Sequence, residues 1–158
     1  MTRRTLLATL LAGSLLALPA AAQTGPQPDL PKEPLVIVTH AGVRHAFQVE
    51  MALTPDQQVT GLMFRKSVAP DGGMLFDWGE PRESQMWMKN TIAPLDMVFI
   101  NADGTIRSIA ENTVPESLAV IDSHGPVRAT LELAAGTTAR LDIRVGDQVL
   151  QRVFGNAP

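Results

Sequence analysis

The chain contains no cysteine. This absence excludes disulfide bonds, zinc–thiolate sites, thiol redox chemistry and a cysteine nucleophile. It also excludes the lipid-bearing cysteine that an exported lipoprotein would need at its cleavage point. The fold must therefore be stabilised by its core alone, and an exported form is expected to be soluble after processing.

The chain also lacks any cluster of lysine and arginine. Its formal net charge is −3, which becomes −5 if Arg3 and Arg4 are removed, because 11 basic residues then remain against 16 acidic ones. Nucleic acid and anionic membrane surfaces are therefore not expected as partners. The three histidines are scattered without paired spacing, so the sequence predicts no metal site and no cofactor.

The N-terminal residues have the layout of a secretory signal peptide. Residues 1–4 are positively charged, residues 5–19 form an apolar run, and Ala20-Ala21-Ala22 provides small residues for cleavage. The run is short for a membrane span, which would be the alternative. The adjacent arginines also fit a twin-arginine signal, so the export route stays open between the two systems. We expect a signal peptide over residues 1–22 and a mature protein in the bacterial periplasm or outside the cell.

Residues 23–34 contain four prolines and predict an extended leader before a single β-rich domain over residues 35–158. Strand-like runs follow at short intervals, beginning with an N-terminal hairpin around Ala41-Gly42. The nearly continuous apolar run from Leu95 to Ile100 predicts a strand covered on both faces, and Asn101-Ala102-Asp103-Gly104 predicts a hairpin turn after it. Residues 139–145 alternate between apolar and polar and are read as another strand. The pattern predicts a mainly β (α+β) fold, a compact antiparallel sandwich or open barrel of about eight short strands with one clear helix.

The predicted helix begins at Thr54-Pro55-Asp56-Gln57, where Thr54 can cap, Pro55 fits the first position and Gln57 completes a capping box. Apolar residues at helical spacing extend the prediction to Lys66. Gly61 within it costs about 1 kcal/mol relative to alanine, which is tolerable where another part of the chain packs closely.

Polar residues lie between two runs that are expected to be buried, in the segment from Gln85 to Ile100. In an extended segment Met86 and Met88 share one face, while Gln85, Trp87 and Lys89 share the other. Polar groups beside a core need partners or a ligand. The segment therefore predicts a small pocket with an aromatic wall and polar groups, or else a loop locked by its own hydrogen bonds. The pocket residues would be Trp87, Lys89, Asn90 and Asp96.

Arg65 and Glu132 complete the set of predicted ligand-binding residues. Arg65 could present its guanidinium to Asp96, Glu132 or an anionic ligand, or else form a buried ion pair. The methionines allow a copper(I) site in principle, but their apolar surroundings favour core packing. No catalytic residue is assigned.

Motifs along the chain resemble domain-of-unknown-function family 192. They comprise Gly61-Leu62-Met63-Phe64-Arg65, Gly73-Met74-Leu75-Phe76, Trp87-Met88-Lys89-Asn90-Thr91, Pro94-Leu95-Asp96-Met97, Leu131-Glu132-Leu133 and Gly146-Asp147. Met86 stands where the family often has an aromatic residue, and Ala93 where it often has isoleucine. The resemblance implies a compact, mainly β domain with a helix, often exported in bacteria, and it implies no activity.

Together these observations predict an exported domain that binds a small polar or anionic ligand, or an envelope glycan, at the loop from Trp87 to Asp96. Two other classes stay open. One is an envelope-acting hydrolase with Asp96 or Glu132 as acid/base. The other is a protein-interaction module with an exposed apolar patch around Trp78 and Phe154. The sequence assigns no oligomeric state.

Overall fold

The computed structural model describes residues 24–157, so the predicted signal peptide lies outside the described residues. The strands are β1 (Lys32–Val38), β2 (Arg44–Ala52), β3 (Gly72–Met86), β4 (Leu95–Ile100), β5 (Ile106–Ala110), β6 (Ile121–Ala134) and β7 (Gln148–Leu150). Two short helices are α1 (Pro55–Thr60) and α2 (Thr137–Arg140), and a 3-10 turn covers Arg152–Phe154. No helix in this part of the chain is long and apolar enough to cross a membrane.

The seven strands form one curled sheet, a half-barrel, in the order β5-β4-β6-β3-β2-β1-β7. The mainly β prediction is confirmed. Five of the six strand pairings in the described part of the chain are antiparallel as predicted, and the exception is the pair β2 and β3, which is parallel. α1 lies between these two strands in the sequence, as a parallel connection requires a crossover.

The two ends of the sheet meet at one point. The amide of Ile106 donates to the carbonyl of Asp147 at 2.9 Å, and the amide of Gly146 donates to the carbonyl of Ile106 at 2.9 Å. A third bond joins the amide of Val149 to the carbonyl of Gly104 at 2.8 Å. The curled sheet is thereby tied across its opening.

Apolar side chains pack on both faces of this sheet. Leu75, Val98 and Leu131 belong to the cluster on one face, and Phe76 and Phe99 belong to the cluster on the other. The split follows from strand geometry, in which successive side chains point to opposite faces. Every residue of β4 is buried, which confirms the prediction of a strand covered on both sides.

The start of α1 agrees with its sequence signal. Thr54 accepts a hydrogen bond from the amide of Gln57, and the Gln57 side chain accepts one from the amide of Thr54, so the capping box is formed. The predicted extension to Lys66 is wrong, because Gly61 adopts φ +49° and ends the helix. A methyl group at Gly61 would lie only 3.0 Å from the ring of Phe76. The ring therefore packs closely on this glycine, as expected for a position where a glycine is tolerated.

The predicted strand over residues 139–145 is also wrong. The chain there forms α2 and turns, and the amide of Ile143 donates to the carbonyl of Thr138 at 2.9 Å. Local main-chain bonds replace the ladder that the alternating pattern indicated. Residues 24–157 therefore contain seven strands where about eight were predicted, and a second short helix in addition to the predicted one.

Candidate functional site

An open cleft of about 410 Å³ lies between α1 with the turn after it and the outer half of β3. Its volume is within the range of about 300–1,000 Å³ that is common for small-ligand sites. The apolar walls are formed by Met63, Phe76, Trp78, Met86 and Trp87. Both tryptophans of the chain therefore border this space. We call it the Glu132 cleft, after the carboxyl that also lines it.

Glu132 is placed in the cleft by the register of three strands. It pairs with Met74 of β3 on one side and with Met97 of β4 on the other, so methionine side chains flank it on the same face. Its side chain is only 4 % exposed, and its Oε2 atom has no hydrogen-bond partner among the described residues. Burial raises the pKa of Glu132 to about 8, so the carboxyl is mostly protonated at neutral pH.

A network next to Glu132 holds the aromatic wall in position. The Trp78 indole packs on the ring of Phe76 with 5.8 Å between centroids, and its Nε1 donates to Thr130 Oγ1 at 3.2 Å. The Thr130 hydroxyl is also 3.1 Å from the hydroxyl of Ser84. Because Thr130 precedes Glu132 by two residues on β6, both side chains lie on the same face. Strand β6 thus carries both the Thr130 hydroxyl that holds the Trp78 indole and the Glu132 carboxyl.

A cation stands over each indole. The Arg82 guanidinium lies 4.1 Å from the centroid of Trp78, and Lys89 Nζ lies 5.0 Å from the centroid of Trp87. Arg82 lines the cleft, whereas Lys89 is an exposed neighbour that does not. Trp87 itself is 46 % exposed. The alternation predicted for this segment holds only in part. Met88 is buried while Gln85, Trp87 and Lys89 are exposed, but the strand ends at Met86, which is half-buried and lines the cleft with Gln85 and Trp87.

Asp96 lies in a different environment from the cleft. Adjacent residues on a strand point to opposite faces, so Asp96 faces away from Met97 and its neighbour Glu132. Its carboxylate is fully buried and accepts from the amides of Asn112, Gly136 and Thr138 at 2.9–3.1 Å. It also accepts from the Thr138 hydroxyl at 2.8 Å. These bonds tie the β4 strand to the turn before α2, which is the locking role that the sequence left open.

Arg65 and Asn90 also lie outside the cleft and bond to other parts of the protein. Arg65 makes two hydrogen bonds to Glu50, at 2.7 and 2.9 Å, and lies 3.1 Å from Asp29. This is the ion pair that the sequence analysis gave as the alternative to a ligand contact. Asn90 adopts φ +55°, a conformation that asparagine tolerates well, and its carbonyl accepts from the amide of Phe64 at 2.8 Å.

The structure therefore brings together two of the six predicted residues, Trp87 and Glu132. The other cleft residues were missed as a set because they come from α1, the turn after it, β3 and the loop after β3, which are far apart in the sequence. The polar residues that alternate with apolar ones in β6, Glu132 among them, indicate that this side of the strand faces solvent. That side is covered instead, and the signal that could have shown this is the pair of short apolar segments, residues 61–63 and 86–88, that pack over it.

A family model described as "Uncharacterized ACR", domain of unknown function 192, matches residues 36–151. The chain belongs to this family. No curated protein matches it at a significant level. The family 192 chain is similar to two crystal structures of bacterial proteins.

The first crystal structure is from Sinorhizobium meliloti 1021 and is described as a candidate transcription regulator. It is 50 % identical, with a TM-score of 0.78, and the match covers 80 % of this chain and 98 % of that one. The second is a protein of unknown function from Novosphingobium aromaticivorans DSM 12444. It is 37 % identical, with a TM-score of 0.75, and the match covers 83 % of this chain and 94 % of that one.

Proposed function

We propose that this family 192 protein is an exported binding protein, and that it holds a small ligand with a ring-shaped body, such as a glycan unit, in the Glu132 cleft. The observation that carries the proposal is an unpartnered, buried carboxyl in an open cleft with two tryptophans. A buried polar group without a partner is costly, and a ligand would supply the missing hydrogen bond. Indole faces suit the apolar face of a ring.

The cleft favours binding over hydrolysis. Glycoside hydrolysis most often needs two carboxyl groups on either side of the bond that breaks. Among the described residues that line the cleft, Glu132 is the single carboxyl, and Asp96 faces the other side of the sheet with its oxygens bonded to amides. The two carboxyl groups of the hydrolase alternative, Asp96 and Glu132, therefore lie on opposite faces of the sheet and cannot act on one bond.

The other open classes have less support. Trp78 packs with the cluster around Phe76, whereas Phe154 packs against the cluster on the opposite face, so they do not form one patch. The description of the Sinorhizobium protein raises regulation of transcription. This chain combines a predicted mature charge of −5 with no cluster of basic residues, and we propose no nucleic-acid partner for it.

A ligand screen with two variants tests the proposal. Both tryptophans border the cleft, so intrinsic fluorescence reports on occupancy, and thermal shift provides a second readout. We expect a hit among neutral sugars, nucleosides and ring-bearing organic acids. Trp87→Ala should weaken it roughly twofold to tenfold, since an aromatic stacking contact contributes about 0.5–1.5 kcal/mol.

Lys89→Ala is the matched control, because Lys89 is two residues away and does not line the cleft. It should change the affinity by less than the tryptophan variant does. A larger loss of affinity in Lys89→Ala than in Trp87→Ala would show that the ligand binds at the exposed loop from Trp87 to Asp96 and not in the cleft. The absence of any hit across the screen would overturn the proposal.

Export is a separate part of the proposal, supported by the layout of residues 1–22. Expression of the full chain in a bacterium with an outer membrane should give protein in the periplasmic fraction. Its N-terminal sequence should begin at Gln23. Recovery of intact Met1 from the cytoplasm would count against export.

A further inference from the structure

The hydrogen-bond donors of the Glu132 cleft are largely occupied by the protein itself. Gln58 Nε2 donates to the carbonyls of Ala52 and Asp77, at 3.1 and 2.7 Å. The hydroxyl of Thr60 donates to the carbonyl of Asp56 at 3.0 Å. None of these donors is free to select a ligand.

Donors on the inner part of the opposite wall are occupied as well, whereas the exposed Arg82 guanidinium and Trp87 Nε1 donate to no described residue. Trp78 Nε1 donates to Thr130, and Gln85 Nε2 lies 3.3 Å from Asp122 Oδ2. The hydroxyl of Thr91 donates to the carbonyl of Lys89 at 3.3 Å. A ligand that reaches the buried part of the cleft therefore meets apolar surface and the Glu132 carboxyl.

The charge of the cleft argues against a cationic ligand. Aromatic walls with a carboxyl can accept an ammonium group, but here Arg82 and Lys89 already stand over one side of the Trp78 and Trp87 rings, and their positive charge would repel a second cation. An anion would meet Arg82 at the exposed rim, but in the inner cleft it would lie among apolar side chains beside a protonated carboxyl, with no cation among the described residues there to offset the cost of its desolvation. Of the described residues lining the cleft, Arg82 and Glu132 are the ones with titratable or charged side chains. An uncharged group is thus the best match for the inner cleft.

We propose that the ligand is a neutral, N-acylated ring compound, such as an N-acetylated amino sugar, whose acyl oxygen accepts a hydrogen bond from the Glu132 carboxyl. The acyl methyl would pack among the apolar side chains of Met63, Phe76 and Met86. This inference rests on the proposed function, since it names the ligand class of the same cleft. The carboxyl can donate because burial keeps its proton in place at neutral pH, its pKa being raised to about 8.

Three sugars that differ in one substituent test the inference: N-acetylglucosamine, glucosamine and glucose. Each is titrated at millimolar concentration into the purified protein at pH 7, with tryptophan fluorescence and saturation-transfer NMR as readouts. We expect N-acetylglucosamine to bind at least about tenfold more tightly than the other two, the ratio expected where one hydrogen bond and a methyl contact are lost.

Two variants at one position separate the hydrogen bond from the shape of the cleft. Glu132→Gln keeps an uncharged donor and should retain binding, whereas Glu132→Leu removes the donor at similar volume and should weaken binding about tenfold. Glu132→Leu is expected to fold, because it replaces an unpartnered polar group by an apolar one between Met74 and Met97. Circular dichroism and a cooperative melt confirm the fold before titration.

The outcomes distinguish this inference from the proposed function. Equal binding of all three sugars, tighter binding of glucosamine, or unchanged binding in Glu132→Leu would overturn the N-acyl assignment and leave a ring-binding cleft. If none of the three sugars binds while another ring compound of the wider screen does, the inference also fails by itself. If no compound of that screen binds, both fail together.

Discussion

Replacing Asp96 by alanine should lower the free energy of unfolding by at least about 3 kcal/mol, because hydrogen bonds to a charged group contribute about 1.5–3 kcal/mol each. Asp96 accepts four such bonds, three from main-chain amides and one from the Thr138 hydroxyl. The substitution leaves these donors facing a buried space with no acceptor. Urea denaturation at pH 7, followed by far-UV circular dichroism, measures the change.

Asp71→Ala is the control for the Asp96 variant, since Asp71 is exposed and its replacement should alter stability by less than about 0.5 kcal/mol. Asp96→Asn should fall between the two, because an amide keeps one acceptor oxygen but turns the other into a donor. A loss below about 1 kcal/mol in Asp96→Ala would show that the amides find other acceptors. It would also reopen a functional role for this carboxylate.

The wild-type protein should lose stability as the pH rises from about 4.5 to about 8, because of Glu132. Its pKa is 4.5 for an ordinary glutamate and about 8 when buried in the fold. Between these values the native state holds a proton that the unfolded state has released. Stability therefore falls with rising pH through this window and levels off above it. The full difference corresponds to as much as about 5 kcal/mol.

Glu132→Gln should abolish most of this fall, because the amide is uncharged at every pH. At pH 5 the variant and the wild type should have similar stability, and at pH 8.5 the variant should be more stable by a few kcal/mol. Denaturation curves across pH 4.5–9 measure both. Parallel pH profiles for the two proteins would show that Glu132 is ionised in the folded state.

At pH values below about 4.5 the stability of the protein also changes, but through carboxyl groups other than Glu132. A hydrogen bond from Arg152 lowers the pKa of Glu33, and a hydrogen bond from Thr105 lowers the pKa of Asp103. Groups with a lowered pKa stabilise the fold above their unfolded value and lose that effect as the pH falls. Their contribution therefore changes at pH values below the window assigned to Glu132.

The sequence was sufficient where structure depends on near neighbours. The capping box of Thr54 and Gln57 involves residues three apart, and the turn before β5 needs a glycine at Gly104, which adopts φ +85°. The buried strand β4 was predicted from an apolar run that only Asp96 interrupts. Each of these features is set by local main-chain geometry or by composition within a few residues.

The sequence was insufficient where structure depends on distant segments. The partners of Asp96 lie 16 to 42 residues away, so their meeting could not be derived from the pattern around Asp96. The alternation in β2 and the short apolar run at Met74-Leu75-Phe76 in β3 indicate strands but not their relative direction, so the parallel pair was missed. One side of β6 is covered by segments from elsewhere in the chain, which the pattern within β6 does not reveal. That pattern alone therefore predicts that Glu132 lies on the surface.

The bonds that tie Ile106 to Asp147 and Gly146 bear on aggregation, and they would matter most for a chain that is exported as proposed. β5 and β7 are the terminal strands of the sheet, and unpaired terminal strands are templates on which other chains can add and aggregate. Here Ile106 of β5 bonds to Gly146 and Asp147 just before β7, and Val149 of β7 bonds to Gly104 just before β5, so part of the main chain of each terminal strand is already paired. A chain that emerges unfolded from an export channel beside many others would thereby gain protection as soon as it closes, without a disulfide to hold it.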